Sequence, residues 1–306
     1  SGQVGASAGE GEPSTATTAR ARRASQRRPA GVRGRRQTRR SVLAATATGV
    51  GGAAAGWYGR TLVTPTPYEG GDVGVFYHQQ SSTGVRAMLR SLLDWGSRPA
   101  QYKKVERGPA VALPSDFDPP TTSVSDALAQ RRSLRSYEDR PLTTEELAWL
   151  VHAATGITSS GGRRTAPSAG ALYPVETYIG VRDVAGVGPG LYHVGVRAQA
   201  LEPVREGSVS GDLALAGLGQ DRLGAAPGVF VLTGSFPRSR WKYHERHYRY
   251  VVWEAGHIAQ NLCLAAEAAD LGACVVGSFL DQTLNDLLRI DGREEPSLGL
   301  IAVGAR

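Results

Sequence analysis

One segment in the C-terminal third of the chain constrains the fold most, because a long helix pattern stands there between two apolar strand patterns. From Val251 to Ala269, apolar side chains recur every three or four residues, which is the spacing of one helix face, and Gly272 then ends the pattern. The flanking stretches at 228–235 and 273–279 are short apolar runs typical of buried strands. We therefore expect a long central helix that packs on a sheet.

Further periodic segments lie on both sides of this helix. Thr143 and Glu146 have the spacing of a capping box, which marks the beginning of another helix, and Gly156 marks its end. His257 lies within the central helix, where we expect a core histidine. Helices and strands thus alternate along this part of the chain. The other predicted elements are helices at 125–132 and 281–290, and strands at 177–181, 190–194, 201–205 and 298–303.

The positive charge of the chain is confined to its beginning. The 306 residues carry a formal net charge of +7. Residues 1–60 contain eleven arginines against Glu10 and Glu12, a net charge of +9, so the remaining chain carries −2. This remainder has no basic stripe with interleaved aromatic side chains and no DNA-reading motif, so we expect no nucleic-acid partner.

The N-terminal tail divides into two parts. Residues 1–37 are rich in Ala, Gly, Ser, Thr and Arg and contain few large apolar side chains, so we expect a disordered basic tail. Residues 38–56 resemble a twin-arginine signal, because Arg39 and Arg40 precede a weakly apolar stretch. We expect export or membrane tethering by the twin-arginine machinery. The alternative is a low-complexity tail of a cytoplasmic protein in which the arginine pair arises by chance.

Three segments beyond the tail supply groups that a flavin mononucleotide (FMN) requires. An arginine-rich run, which contains Arg131, Arg132, Ser133 and Arg135, offers cationic and hydroxyl donors for a phosphate with nearly two negative charges. A turn-rich segment, which contains Pro167, Ser168, Ala169 and Gly170, has small residues that let the backbone approach the isoalloxazine ring. Gly277 and Ser278, at the end of an apolar strand, offer the same access. No GxGxxG fingerprint is present, which favours FMN over a dinucleotide. The candidate FMN-binding residues are Arg131, Arg132, Ser133, Arg135, Pro167, Ser168, Ala169, Gly170, Gly277 and Ser278.

The arginine-rich run has two interpretations. Arg135 is the candidate cation beside the ring edge that takes up negative charge when a flavin is reduced. Arginine runs are more often solvated helix faces, so this run alone is weak evidence for a phosphate site.

The order and spacing of the three segments, with the long helix between the last two, resemble the FMN-dependent nitroreductase family. Within this family, the chain from about residue 72 onwards is similar to SagB-type oxidases, which dehydrogenate thiazoline and oxazoline rings in modified peptides. The resemblance implies an α+β fold, with a mixed, mainly antiparallel sheet packed with helices around the central helix. It also implies a homodimer with flavin at the shared surface, and a small-molecule or modified-peptide substrate.

The resemblance also implies the division of the chain. Residues 57–120 would form a linker and a SagB-type N-terminal arm, and residues 121–306 the FMN-binding domain. We expect aromatic residues of the arm to anchor it on the domain surface. The arm residues that carry the resemblance are His78, Trp95, Pro99, Tyr102, Lys103, Leu113 and Pro114.

A catalytic pair follows from the same resemblance. Lys242 and Tyr243 match a Lys-Tyr pair that in SagB-type oxidases is implicated in removing the ring proton while hydride passes to flavin N5. A lysine must be neutral to accept a proton, so we expect desolvation or nearby cations such as Arg238, Arg240 and Arg246 to lower its pKa. The alternative is a surface basic loop.

The chain also departs from the family pattern. Many nitroreductases carry an acidic residue before the glycine that faces flavin N5, whereas Val276 precedes Gly277 here. His244 and His247 lie three residues apart without an identifiable third ligand, so no metal site is predicted. Two other functions stay open, namely NAD(P)H-dependent reduction of a nitroaromatic or quinone, and a flavin- or partner-binding module without catalysis.

Overall fold

The computed structural model describes residues 70–82, 84, 96–105 and 107–306. The basic tail, the twin-arginine signal and Trp95 lie outside these residues and stay predictions. Within the described ranges, no helix is both long enough and apolar enough to cross a membrane.

A seven-stranded sheet forms the centre of the described part of the chain. In chain order the strands are β1 (Val111–Ala112), β2 (Val175–Val181), β3 (Gly190–Gly195), β4 (Ala200–Glu206), β5 (Gly228–Gly234), β6 (Leu271–Val276) and β7 (Ser297–Ala305). Their order across the sheet is β1-β4-β3-β2-β5-β7-β6, and every neighbouring pair is antiparallel. This confirms the mainly antiparallel sheet. Both β2 and β5 are buried along their whole length; β5 is therefore almost continuously apolar, whereas β2 also contains the buried polar residues Glu176 and Thr177.

Helices cover both faces of this sheet, which confirms the α+β class. They are α1 (Val73–Gln80), α2 (Val124–Gln130), α3 (Thr144–Thr155), α4 (Ser210–Ala216), α5 (Asp221–Ala225), α6 (Phe236–Tyr243), α7 (His247–Ala268) and α8 (Asp281–Leu288). One hydrophobic core joins the sheet to α3 and α7 and includes Leu147 and Ile258. The other joins the opposite face to α4, α5 and α8 and includes Leu213 and Leu284.

The long helix α7 is the predicted central helix, and its buried face follows the apolar spacing of the sequence. Val251, Ile258 and Leu262 are buried in the core, together with Ala265 and Ala266. The alanines of this helix therefore mainly allow close packing inside the domain.

The opposite face of α7 is exposed and partly apolar. Trp253 is 57% exposed, and Tyr248 and Val252 are each 43% exposed. His257 is also exposed, so the prediction that it is a core histidine is wrong. The reason is the helical register, because His257 follows Trp253 by one turn and shares its side of the helix.

Local signals located the helix ends well. The Thr143 hydroxyl accepts from the Glu146 N–H, and the Glu146 carboxylate accepts from the Thr143 N–H, which confirms the capping box. Helix α6 was missed, and Lys242 and Tyr243, for which a surface basic loop was the alternative interpretation, lie in its last turn. Its sequence, FPRSRWKY, is mostly polar and has no apolar periodicity, although Pro237 near its beginning is a helix-start signal.

A buried guanidinium connects α6 to the sheet and to the N-terminal arm. Arg238 is 5% exposed, and its Nη2 donates to Glu176 Oε1 of β2 at 2.7 Å. Its Nη1 donates to the carbonyl oxygen of Tyr173 at 2.7 Å, and its Nε donates to that of Ala100 at 3.0 Å. One side chain thus joins a helix, a strand, the loop before that strand, and the arm.

The same polar cluster continues across the sheet through a buried histidine. His193 of β3 lies between two carboxylates, with Nε2 3.1 Å from Glu176 Oε2 and Nδ1 2.8 Å from Glu202 Oε2. Burial alone would lower the pKa of His193, but the hydrogen bonds and charges of Glu176 and Glu202 outweigh it and raise that pKa. The charged imidazolium is therefore the form that the fold stabilises.

This cluster predicts a pH dependence of stability. The pKa of His193 is higher in the folded state, so its contribution is fully present below about pH 6.5, the value in unfolded chains, and is lost as the pH rises through the folded value. We expect the free energy of unfolding, measured with urea, to fall as the pH rises above about 6.5, and His193→Gln to remove this component of the slope. The control His78→Gln changes an exposed histidine of α1 and should keep the wild-type slope. An unchanged slope in His193→Gln would contradict the assignment.

Candidate functional site

The turn-rich segment forms a strained loop directly before β2. A single 3₁₀ turn spans Ala169–Ala171, and Gly170 has φ of 63°. Ala171 and Tyr173 also have positive φ, at 53° and 49°, which is uncommon for residues with a side chain. The Ser168 hydroxyl accepts from the Tyr173 N–H at 2.8 Å and holds this conformation.

Lys242 and Tyr243 converge on this loop at Gly170. A Cβ atom placed on Gly170 would lie 2.6 Å from Tyr243 Oη and 2.7 Å from Lys242 Nζ, so glycine suits both the close approach of these side-chain ends and its positive φ. The last turn of α6 supplies both side chains. The structure therefore brings the two predicted catalytic residues to the loop that contains Pro167, Ser168, Ala169 and Gly170.

The surroundings of the pair keep the tyrosine protonated. Both side chains are half-buried, and Tyr243 packs edge-on against Tyr250 with ring centroids 4.7 Å apart. Burial, with a smaller effect from Tyr250, raises the pKa of Tyr243. A neutral phenol hydroxyl can donate a hydrogen bond or relay a proton at neutral pH.

A buried glutamate supports the loop from the central helix, and the sequence analysis missed it. Glu254 Oε1 accepts from the Val175 N–H at 3.3 Å, and its carboxyl group also bonds the Ser168 hydroxyl. Burial raises the pKa of Glu254 to about 7, against the opposing effects of those bonds and of Arg164 and Arg238. In the described part of the chain, its Oε2 is buried without a hydrogen-bond partner.

A sequence signal for Glu254 exists. It lies three residues after Val251 and four before Ile258, within the apolar stripe of the predicted central helix. An ionisable residue on a buried stripe is uncommon and indicates a specific partner.

The arginine-rich run lies elsewhere, beside the edge strand β6. Ser133 forms a parallel bridge to Ala273, and the Leu134 N–H donates to the Ala273 carbonyl at 3.0 Å. Arg132 and Arg135 are exposed, and their Nη1 atoms donate only to local backbone carbonyls in the described structure. The run therefore keeps donors for an external anion.

The glycine after β6 also presents an open backbone. A Cβ atom on Gly277 would meet nothing within 4 Å, and Ser278 beside it is exposed. Exposed guanidinium groups and an unobstructed backbone are the features that a phosphate and a planar ring system need. These residues fit a flavin by their chemistry.

The predicted site residues thus fall into two groups within one chain. The edge group comprises Arg131, Arg132, Ser133, Arg135, Gly277 and Ser278, and the loop group comprises Pro167, Ser168, Ala169, Gly170, Lys242 and Tyr243. The loop leads into β2, which is separated from β6 by β5 and β7. Three strand spacings amount to about 14 Å. Among the described residues, no cluster of three or more His, Cys, Asp or Glu side chains could hold a metal ion.

Comparison with known sequences identifies relatives over most of this domain. The family model described as the nitroreductase family matches residues 128–305. A nitroreductase-family protein of Methanocaldococcus jannaschii is 40% identical over 183 residues, which cover 60% of this chain and 91% of that protein. The trifolitoxin-processing protein TfxB of Rhizobium leguminosarum is 32% identical over 46% of this chain and 39% of its own length. The microcin B17-processing protein McbC of Escherichia coli is 31% identical over 49% and 57%, respectively.

Solved structures share the fold. A nitroreductase-family protein of Anabaena variabilis superposes with a TM-score of 0.63 at 27% identity, over 76% of this chain and 46% of the other. The E. coli microcin synthetase McbBCD complex with truncated pro-MccB17 contains a chain with a TM-score of 0.51 at 22% identity, over 87% and 91%, and this likeness concerns the fold alone. With a family match over more than half of its length and a 40% identical relative, the chain belongs to the nitroreductase family of flavin oxidoreductases.

Proposed function

We propose that this protein is an FMN-dependent oxidoreductase that dehydrogenates azoline rings in a modified peptide. The observation that carries the proposal is the approach of Lys242 Nζ and Tyr243 Oη to Gly170, in a loop that the sequence assigns to flavin. Two relatives that process peptide antibiotics, TfxB and McbC, support a peptide substrate. The chain spans about two fifths and three fifths of those relatives, so their activity is an inference for this chain.

The cofactor would be held by both groups of residues. The arginines and Ser133 of the edge group would bind the phosphate, since charged hydrogen bonds from a planar guanidinium are strong and directional. Gly277 and the loop at Gly170 would allow the ring to approach the backbone. FMN, when bound, supplies an acceptor for the hydride of the substrate at its N5 atom.

Residues of this chain would accept and relay the proton that the substrate loses. In azoline dehydrogenation the ring loses one hydride and one proton and gains a double bond, so a base must accept the proton. The neutral amine of Lys242 can accept it at Nζ. The protonated hydroxyl of Tyr243 can orient the ring or relay the proton, because the raised pKa keeps it a donor. Glu254 would hold the loop in place through Ser168 and Val175.

A second function has its own support. The M. jannaschii relative, which shares 40% identity over 91% of its length, bears a nitroreductase name and favours NAD(P)H-dependent reduction of a nitroaromatic or quinone. The two functions differ in what reduces the flavin. Anaerobic bleaching by an azoline peptide supports the first, bleaching by NADH or NADPH supports the second, and bound flavin that neither bleaches indicates a non-catalytic module.

We also propose that the protein is a homodimer. The exposed face of α7 presents Tyr248, Val252 and Trp253, and adjoining exposed apolar side chains often mark a protein interface. The two groups of site residues lie about three strand spacings apart within one chain. A second copy docked on α7 could supply one group to the flavin held by the other.

The catalytic pair is tested with Lys242→Ala. We expect unchanged FMN content, because the edge group binds the phosphate, and at least tenfold slower flavin bleaching, since a general base contributes about 10²- to 10⁴-fold. The measurement is anaerobic stopped-flow absorbance with an azoline peptide. Arg205→Ala is the control, because Arg205 is exposed on β4, pairs with Asp212 and belongs to neither group of site residues. Wild-type bleaching in Lys242→Ala would refute its role, and loss of flavin would make Lys242 a cofactor ligand.

The phosphate assignment is tested with a double variant, Arg131→Ala with Arg132→Ala. Each charged hydrogen bond contributes about 1.5 to 3 kcal/mol, so flavin retention should drop strongly. FMN is counted by absorbance after gel filtration. The control Arg205→Ala removes an exposed guanidinium of β4, a strand remote from β6 in the sheet, where it pairs with Asp212. Full occupancy in the double variant would exclude this phosphate site.

The dimer is tested with Trp253→Glu, measured by sedimentation velocity. A charge on the apolar face of α7 should shift the protein from dimer to monomer at micromolar concentration. Leu215→Glu is the control, because Leu215 is equally exposed but lies on α4. The proposal fails if the wild type is monomeric or if Trp253→Glu stays dimeric.

A further inference from the structure

A cavity of about 450 Å³ lies between the N-terminal arm and the hairpin of β3 and β4. Residues 102–104 of the arm form one side and residues 193–198 of the hairpin form the other. Arg164, Glu176 and Glu202 complete its lining. None of the predicted flavin-binding or catalytic residues lines it, so the cavity is separate from the proposed flavin site.

The acidic groups of the cavity are already neutralised. Glu176 bonds both Arg238 and His193, and Glu202 bonds the other nitrogen of His193. The pKa of Glu176 stays low despite burial, because these partners stabilise its charge. The two carboxylates of the lining are thus matched by two cationic partners.

Three further cations leave the cavity with a positive surplus. Lys104, Arg164 and Arg197 line it, and none of them forms an ion pair within the described ranges. Lys103 also lines it, but its Nζ contacts Glu295 Oε2 at 2.6 Å and is neutralised. A cavity with this charge favours an anionic ligand.

Arg164 is the residue that distinguishes this cavity from an ordinary basic surface. It is only 9% exposed, and its Nε is buried without a hydrogen-bond partner in the described structure. Its guanidinium carbon lies 4.6 Å from the ring centre of Tyr173 and 5.6 Å from that of Tyr102. Arg197 approaches the Tyr102 ring at 5.9 Å. Burial of an unpaired guanidinium is unfavourable, and a bound anion would offset that loss.

The other residues that line the cavity indicate what kind of molecule bears the anionic group. Val194, Val196 and Ala198 provide apolar surface beside the cations. The volume lies within the range of about 300 to 1,000 Å³ that is typical of sites for organic ligands. A ligand with an apolar stem and a charged end fits these walls better than a small inorganic ion.

We propose that this cavity binds an acidic side chain of the peptide substrate and so selects peptides that carry a carboxylate near the oxidised ring. The inference rests on the peptide substrate of the proposed function. Arg164 connects the cavity to the catalytic loop. Its backbone N–H donates to Tyr173 Oη at 3.1 Å, and Tyr173 ends the loop that contains Gly170. A peptide anchored at Arg164 would therefore extend towards Lys242 and Tyr243.

The test measures equilibrium binding to the full-length protein loaded with FMN. Two fluorescein-labelled hexapeptides are compared by anisotropy, one with two central aspartates and the other with two asparagines, both with amidated C-termini. We expect the aspartate peptide to bind about tenfold more tightly, which corresponds to one charged hydrogen bond. The double variant Lys104→Gln with Arg197→Gln should weaken this preference, because it removes two of the three unpaired cations of the cavity and leaves only Arg164. Both residues are exposed, so their replacement leaves the core intact.

A matched control and a competitor complete the design. Arg163→Gln removes a neighbouring exposed arginine that does not line the cavity, and it should keep the preference. Equal affinities for the two peptides, or an unchanged preference in the double variant, would overturn the proposal. Displacement of the aspartate peptide by inorganic phosphate at similar concentration would assign the cavity to free anions instead.

These peptides contain no azoline, and no turnover takes place during the measurement. Failure of the binding test therefore leaves the proposed dehydrogenation untouched. Conversely, a protein that binds the aspartate peptide selectively but is not bleached by an azoline peptide would retain the cavity assignment and lose the proposed reaction.

Discussion

The buried guanidinium of Arg238 is the interaction on which the arrangement of the site depends. It binds the carboxylate of Glu176 and the carbonyl oxygens of Tyr173 and Ala100, so helix, strand, loop and arm share one charged centre. A buried ion pair contributes little compared with apolar packing, but removal of one partner costs about 3 to 5 kcal/mol because the other charge stays unpaired. The value of Arg238 is therefore specificity, since alternative placements of α6 would leave Oε1 of the buried Glu176 carboxylate without its guanidinium partner.

Correct placement of α6 matters because the loop before β2 is strained. Ala171 and Tyr173 hold left-handed backbone conformations, which cost roughly 1 to 2 kcal/mol each for residues with a side chain. Hydrogen bonds of Ser168, Arg238 and Glu254 around the loop offset this energy. Strain that is supported from several sides is typical of functional sites, because it fixes the backbone before a ligand arrives.

The sequence allowed the fold to be predicted well, and the site only in part. Thr143 and Glu146 cap a helix through contacts within one turn, and the apolar run of β5 reflects burial along the whole strand, so both features could be predicted. The approach of Lys242 to Gly170 joins residues 72 positions apart, and here the family resemblance supplied what local patterns do not contain. Arg164 was missed because an isolated charged residue in a loop does not reveal its burial, whereas Glu254 was overlooked although it lies on the apolar stripe of the predicted central helix. Helix α6 was missed because its sequence has no apolar periodicity and its buried residues, Arg238 and Ser239, are polar.

The strand order has a consequence for how the chain acquires its site. Strand β7 comes last in sequence among the seven, yet it lies between β5 and β6 and pairs along both of its edges. Phe230 and Ile301, for example, pair across 71 residues of chain. Such non-local pairings slow folding, because the entropy of closing long loops is lost before contacts compensate for it. During synthesis, β6 and its neighbouring arginine-rich segment therefore join the sheet only after β7 is available for pairing. The edge and loop groups reach their relative placement only when the sheet closes.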